Sequence, residues 1–365
     1  MIIQASSAVV AGALVGPTWV EISGQIIQSV HSGTHETPDQ ILEGTMIPGF
    51  IDIHCHGGGG KYFSALTPGE IHSVVETHRG HGTTSLMASL VSEPIAEIKK
   101  QIKNLIPFYQ NGQIVGIHLE GPYLSHARCG AHDPQLLINP DLAEIKELVE
   151  IADGAIKMIT IAPELPGAIE AIKYLTAAGV TVGLGHTNGN FSDAAAGTNA
   201  GASIITHFMN GMDKSLEPGS LASFVIADER ICVELILDGH HLSFERAGEI
   251  YMALGSRTIF ITDAMAAAGS IDGDYTIGKL PVTVKDGVAR LESTQALAGS
   301  TLTMDQAFIN ARTHLSLSIP EAVAATSTRS AQLLGLKNRG EIAVGMRADL
   351  LSYDSKNQAI TLVSE

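Results

Sequence analysis

Residues 48–60 read PGFIDIHCHGGGG. The run from Gly49 to His56 is short, almost continuously apolar, and closes on two histidines, His54 and His56. A run of this kind suits a strand buried on both faces of a parallel sheet. A spacing of two puts both imidazoles on one face of that strand. Working outward along the chain, seven more such runs follow: Thr83–Val91, Gln113–Glu120, Ile156–Ala162, Val180–His186, Ala202–His207, Ile231–Asp238 and Thr258–Asp263. Helix-like stretches separate several of them, for example Pro68–Arg79, Glu93–Tyr109, Asp141–Ile151 and Pro166–Ala178. Strand alternating with helix predicts βαβ units and an α/β fold. Eight units predict a (β/α)8 TIM-type barrel.

The two ends of the chain read differently. The opening MIIQASSAVVAGALVG has no basic flank and is interrupted by Gln4, Ser6 and Ser7, so it reads as strand rather than signal peptide. Trp19–Ile22 and Gln25–Val30 are short strands around a Ser23-Gly24 turn, and Gly340–Glu365 again reads as strands, with Ala348–Tyr353 as one of them. The expected division is a small β-domain built from residues 1–46 plus 336–365, beside a barrel over 47–335 whose last part, 305–334, is helical.

Composition narrows the class. The 365 residues carry 22 basic and 38 acidic side chains, a net charge of −16, and 45% are hydrophobic. That apolar fraction excludes a disordered chain. A negative balance without a Lys/Arg run argues against nucleic acid, whose binding depends on phosphate contacts. No run of about 18 apolar residues offers a membrane span. Cys55, Cys129 and Cys232 are too few and too scattered for a disulfide framework or a cysteine zinc site, which suits the cytoplasm.

The unusual polar residues fall where barrel enzymes place their chemistry, at the C-terminal ends of strands. His54 and His56 close the first run, Glu120 the third, His186 the fifth, His207 the sixth and Asp263 the eighth. Imidazole and carboxylate are ligands for Zn²⁺ or Fe²⁺, and such a set leaves a position open for water. A divalent ion lowers the pKa of bound water towards about 7, and a nearby Asp263 can shuttle the proton. The competing reading of Asp263 is a helix N-cap before Ala264–Ala268. His118 shares a face with Glu120 and reads as a partner behind the ligands rather than a ligand. Gly57–Gly60 lack a following G-K-[ST], so they read as a place where backbone approaches a ligand closely rather than as a phosphate loop.

PGFIDIHCHG, HLEGP, GHT, THFMNGM, TDAM, LAGSTLTM and GEIAVGMRADLL, in that order, resemble the amidohydrolase superfamily and, within it, the N-acetylglucosamine-6-phosphate deacetylase family. The resemblance covers nearly the whole chain. It implies a barrel flanked by a β-sandwich from both termini, usually in a homodimer. It implies hydrolysis of the N-acetyl group of an amino sugar 6-phosphate by metal-bound hydroxide, with one or two divalent ions per subunit, zinc or iron. Glu120, His186 and His207 match the main metal site, and His54 and His56 the second site of members with HxH. Asp263 matches the acid/base. His132, beside Ala131 in CGAHDP, matches the histidine that polarises the substrate carbonyl. Asn210 with Gly211, and Leu297, Ala298 and Gly299, match substrate contacts. His241, in DGHHL, matches a phosphate contact, with His240 adjacent as the alternative.

One departure touches specificity. Family members usually carry an arginine before E-P-G, where it grips phosphate; in NGMDKSLEPG that place is Leu216. An apolar side chain cannot bind phosphate by charge, which leaves Lys214 or Arg128 as replacements. The alternatives are therefore the same deacetylation of N-acetylgalactosamine 6-phosphate, or of a non-phosphorylated acetamido substrate. Cys129, in the same loop as His132, reads as an inert small residue. A non-catalytic barrel is disfavoured by the intact ligand set. A dihydroorotase or hydantoinase is disfavoured because the fourth run, IKMITIAPE, has no lysine at its end.

Overall fold

A computed structural model describes residues 1–65 and 67–363; the last two residues of the C-terminal stretch, 364 and 365, lie outside it. All eight expected strands form. They are β1 (Phe50–Cys55), β2 (Thr83–Leu90), β3 (Gly116–Glu120), β4 (Ile156–Ile161), β5 (Thr181–Leu184), β6 (Ile204–Ile205), β7 (Cys232–Ile236) and β8 (Thr258–Ile261), paired in chain order into one parallel sheet. The first and last strands meet at the rim. There the Asp263 N–H donates to the His54 carbonyl at 2.8 Å and the His56 N–H to the Ala264 carbonyl at 2.9 Å. Below them the Asp52 carboxylate accepts the Thr262 hydroxyl at 2.5 Å.

Side-chain alternation sorts the strands into two faces. On β3, Ile117 and Leu119 join a large core with helix residues such as Val74, Ile98, Leu148 and Ile172. His118 and Glu120 therefore take the opposite, inner face. On β7, Val233 and Leu235 join the same core, and Glu234 faces inward. The expected helices are present at Pro68–Gly80, Ile95–Gln110, Leu142–Ile151 and Ala168–Ala177. The third starts on a side-chain cap, with the Asp141 carboxylate accepting the N–H groups of Ala143 and Glu144.

The termini build one seven-stranded mixed sheet from Ile2–Val10, Ala13–Val15, Thr18–Ser23, Ile26–Ser32, Gln40–Pro48, Leu350–Asp354 and Ala359–Leu362. It folds back on itself: the Ile27 N–H donates to the Met346 carbonyl and the Gly345 N–H to the Ile27 carbonyl, both at 2.9 Å. Between its layers lies a separate core that includes Ile3, Val20, Ile27, Met46 and Leu350. Among the described residues, no helix is long and apolar enough to cross a membrane.

Three features differ from the sequence reading. After β8 the chain makes a three-stranded antiparallel sheet, Gly273–Ile277, Leu280–Lys285 and Val288–Leu291, that strand–helix alternation did not anticipate. Ala264–Ala268 forms no helix, so Asp263 is not an N-cap. The structure gives Gly57–Gly60 a packing role that the sequence reading did not name. Gly57 and Gly58 pair with Tyr62 and Lys61 in a small hairpin, and a Cβ on Gly58 would come within 2.7 Å of His78 Nε2. Their missing side chains let this hairpin lie against the segment after β8, where Gly57, Gly59 and Gly60 donate to carbonyls of Ala264, Ala268 and Ala266.

Candidate active site

Five strand ends of the barrel supply six side chains to one place. His186, His207 and Asp263 stand just past β5, β6 and β8 with φ of +45°, +28° and +50°. Non-glycine residues populate this left-handed region only where the surroundings hold them there. Those surroundings are visible. The Thr187 N–H donates to the Gly211 carbonyl at 3.0 Å, and the Ser300 N–H to the Asp263 carbonyl at 2.8 Å. The His207 N–H donates to Glu234 Oε2 at 3.0 Å. Gly130 (φ +57°) and Gly211 (φ +59°) press their backbones on the His186 ring, where added Cβ atoms would come 2.8 Å and 3.0 Å from it.

Glu120 sits at the centre, almost fully buried. Its Oε1 lies 2.9 Å from His207 Nε2 and 3.1 Å from His186 Nε2. Its Oε2 lies 3.2 Å from His56 Nε2, 3.6 Å from His54 Nε2 and 3.4 Å from His132 Nε2. Asp263 Oδ1 is 3.3 Å from His56 Nε2 and 3.5 Å from His54 Nε2. Two donor sets thus share one carboxylate: His54, His56 and Glu120, and Glu120, His186 and His207.

The far sides of the rings decide which nitrogen carries the proton. His186 Nδ1 faces the Arg128 carbonyl at 2.8 Å and His56 Nδ1 the Ser89 carbonyl at 3.2 Å. A carbonyl only accepts, so both Nδ1 atoms carry hydrogen. His54 Nδ1 donates in the same way to Glu234 Oε2 at 3.0 Å. In the neutral rings each Nε2 then offers a lone pair to the centre. Yet His54 Nε2 lies 3.1 Å from His56 Nε2, and His186 Nε2 lies 3.1 Å from Glu120 Oε1, a carboxylate oxygen that also only accepts. Lone pairs aimed at one another need a cation between them, either protons or a metal. Burial alone would lower the pKa of His54, but Glu120, Glu234 and Asp263 hold it well above the usual imidazole value. Burial would raise Glu120, but His54 and the hydrogen bonds of His132, His186 and His207 hold it far below the usual carboxylate range. The same contest, burial against His54 and His56, leaves Asp263 lowered. The donor chemistry therefore fits a divalent ion at each set.

His132 is different. Burial pushes its pKa down to about 4. Its Nδ1 accepts the Ser92 N–H at 3.3 Å. The neutral ring therefore carries its hydrogen on Nε2, the atom that faces Glu120 Oε2.

A cavity of about 250 Å³ opens over this floor. His56, Glu120, His186, His207 and Asp263 line it, and so do Ala131 and His132, Asn210 and Gly211, Lys214, His241, Leu297 and Gly299. His54 and Ala298 are fully buried and do not line it. Arg128 does not line the cavity; its Nε donates to Asn188 Oδ1 at 3.2 Å. His240 and Cys129 also stay outside it, whereas His241 lines it. His241 Nδ1 is held by Asp238 Oδ2 at 2.7 Å. His118 stays beneath, between the Ser89 and Thr160 hydroxyls at 3.0 Å and 2.8 Å. Leu216 is exposed on an apolar groove with Phe208, Met209 and Ile226, away from the cavity. The sequence reading missed Glu234, and it missed Val91, Ile277 and Ala296 in the cavity wall. The signal for Glu234 was a carboxylate inside an otherwise apolar strand, Cys232–Ile236.

Known proteins resemble the chain along most of its length. Residues 45–364 match the family model described as the amidohydrolase family. An N-acetylglucosamine-6-phosphate deacetylase of Vibrio furnissii is 32% identical over 317 residues, 85% of this chain and 79% of that protein. An N-acetylgalactosamine-6-phosphate deacetylase of Escherichia coli O157:H7 is 33% identical over 85% of this chain and 84% of its own. Among solved structures, an Asp-to-Ala mutant of N-acetyl-D-glucosamine-6-phosphate deacetylase from Mycobacterium smegmatis, in complex with N-acetyl-D-glucosamine-6-phosphate, superposes with a TM-score of 0.96. It is 39% identical, covering 100% of this chain and 97% of that one. With its donor sets at the strand ends of a parallel barrel and relatives of this kind along almost its whole length, the chain belongs to the amidohydrolase family, in the branch of the N-acetylglucosamine-6-phosphate and N-acetylgalactosamine-6-phosphate deacetylases.

Proposed function

We propose that the chain hydrolyses the N-acetyl group of N-acetylglucosamine 6-phosphate, releasing acetate and glucosamine 6-phosphate. The observation that carries this is the surroundings of Glu120: two imidazole pairs, a neutral His132 with its hydrogen on Nε2, and an ionised Asp263, all at one cavity. His54, His56 and Glu120 would hold one zinc or iron ion, and Glu120, His186 and His207 the other. When bound, a divalent ion supplies Lewis acidity that makes water a nucleophile at neutral pH. Asp263 accepts the proton of the attacking water as the new C–O bond forms. It then hands that proton to the amide nitrogen as the C–N bond breaks, serving as base and then acid. His132 donates its Nε2–H to the carbonyl oxygen as charge grows there.

Phosphate recognition falls to Lys214 and His241. Lys214 is the only lysine or arginine lining the cavity, and its ammonium has no ion-pair or hydrogen-bond partner among the described residues. Half-burial lowers its pKa without a compensating partner. An anionic group on the substrate supplies that partner, and a lysine meets it as a point charge. Asn210, Gly211, Leu297 and Gly299 then frame the sugar. N-acetylgalactosamine 6-phosphate is the second reading, because a deacetylase for that sugar is as similar to the chain as one for the glucosamine form.

Residues 1–46 with 336–365 serve as a support domain for the catalytic 47–335. The exposed Leu216 and Ile226 fit a homodimer contact, which light scattering checks. The deciding experiment measures acetate release from N-acetylglucosamine 6-phosphate, N-acetylgalactosamine 6-phosphate and unphosphorylated N-acetylglucosamine, before and after chelation. Activity that survives complete metal removal overturns the mechanism. Equal rates with and without phosphate overturn the substrate.

A further inference from the structure

We propose that Glu234 is a positioning residue that ties the two ligand sets together, so that binding of an ion at His54 and His56 depends on a carboxylate belonging to neither set. The inference rests on the reading above that both sets hold metal.

Glu234 lies on the inner face of β7 with no exposure. A buried charge is costly unless it is paired and hydrogen-bonded. No lysine or arginine pairs with it among the described residues, and its ion-pair partner there is the His54 ring. Its Oε1 has no hydrogen-bond partner among the described residues. An apolar residue of similar volume packs such a position at lower cost, so stability does not account for the carboxylate. Its Oε2 does two specific things. It accepts the His54 Nδ1–H at 3.0 Å, and it accepts the backbone N–H of His207 at 3.0 Å.

These two bonds reach one member of each ligand set. The first fixes the tautomer of His54, aims its Nε2 at Glu120, and raises the basicity of that nitrogen. The other ligand histidines lack such a partner. His56 and His186 lean on carbonyls, and His207 Nδ1 has no hydrogen-bond partner among the described residues. The second bond holds His207 in its left-handed backbone conformation at φ +28°. The His54 set therefore loses its only carboxylate support when Glu234 is altered, whereas the His186/His207 set keeps the carbonyl behind His186 and loses one backbone anchor.

The test titrates chelated protein with Co²⁺, followed by its visible absorption, and counts Zn²⁺ by elemental analysis after reloading. Wild type, Glu234→Gln and Glu234→Asp are compared, and the melting temperature of each metal-free protein is recorded alongside. Wild type is expected to bind two ions per subunit. Glu234→Gln keeps the shape and loses the charge. It should retain one ion, bind the second about 10–100-fold more weakly, and show an altered Co²⁺ spectrum while the metal-free melting temperature stays within a few degrees. Glu234→Asp, which keeps the charge on a shorter stem, should recover part of the lost affinity. Two ions bound by Glu234→Gln with wild-type affinity overturn the proposal. So does a Glu234→Gln protein that fails to fold while Glu234→Asp folds and binds both ions as wild type does. A wild type that binds fewer than two ions overturns the two-set reading first, and this inference with it.

Discussion

The cavity has a floor and a wall, and they are built in opposite ways. Every floor residue stands at the end of a parallel strand, and several rings are held from behind: His186 by the Arg128 carbonyl, His56 by the Ser89 carbonyl, His54 by Glu234. Three of them sit in a backbone conformation that persists only because neighbours impose it. The wall comes from loops and the late hairpin, through Asn210, Lys214, Ile277 and Leu297. Its one permanent cation, Lys214, has no protein partner among the described residues. Under the proposed function, reaction chemistry falls to the part of the fold that cannot move without unravelling strands, and substrate choice to segments that can change at little structural cost.

The largest effect should come from the floor. Asp263→Asn keeps the size and removes the proton acceptor, so kcat should fall by about 10²–10⁴-fold, as for loss of a general acid–base group, with metal content unchanged by elemental analysis. Turnover within tenfold of wild type removes Asp263 from the role of shuttle. His132 stands between floor and wall and sharpens the comparison. If its Nε2–H serves the transition state, His132→Ala lowers kcat by about 10²–10³-fold and moves KM little. A change confined to KM would return it to the wall.

The floor was legible in the sequence for a physical reason. Buried parallel strands are continuous apolar runs, so His54, His56, Glu120, His186, His207 and Asp263 stand out as polar interruptions at run ends. The wall was less legible. Gly273–Leu291 lay outside the strand–helix rhythm, although its own signal was present: VTVK and VARL flank Asp286-Gly287, alternation around a hairpin turn. Arg128 and Lys214 could not be separated by residue type. The structure separates them, because the Arg128 side chain turns to Asn188 while Lys214 lines the cavity. Glu234 was passed over because a single carboxylate within a strand gives no spacing to read, and its meaning comes from two partners at positions 54 and 207.

A smaller effect tests the wall. Lys214→Gln removes the charge and keeps the reach. A hydrogen bond to a charged group contributes about 1.5–3 kcal/mol, so kcat/KM for the phosphorylated sugar should fall roughly 10–100-fold, carried by KM. The unphosphorylated sugar should be unaffected, and raised salt should weaken the phosphorylated substrate in wild type more than in the variant. An equal loss on both substrates would make Lys214 a structural residue of the loop.

The smallest effect concerns the support under the floor. Burial pushes the pKa of His78 down to about 4, and its Nε2–H holds the Gly57 carbonyl at 2.9 Å, one residue beyond His56. The unfolded chain takes up that proton near pH 6.5, the folded chain only near 4. Between those values the unfolded state binds more protons, so stability falls as pH falls. Above 6.5 the group has no effect, and below 4 its contribution is fully lost. The slope from one such group is at most about 1.4 kcal/mol per pH unit. His132 and His118, both lowered by burial, act in the same direction, so wild type carries the sum. His78→Gln should show a shallower loss of melting temperature between pH 6.5 and 4, measured on metal-free protein so that ligand protonation in the floor is common to both. Parallel curves would mean that His78 is already protonated in the folded state, and that the hairpin beside His56 is held by charge rather than by a neutral hydrogen bond.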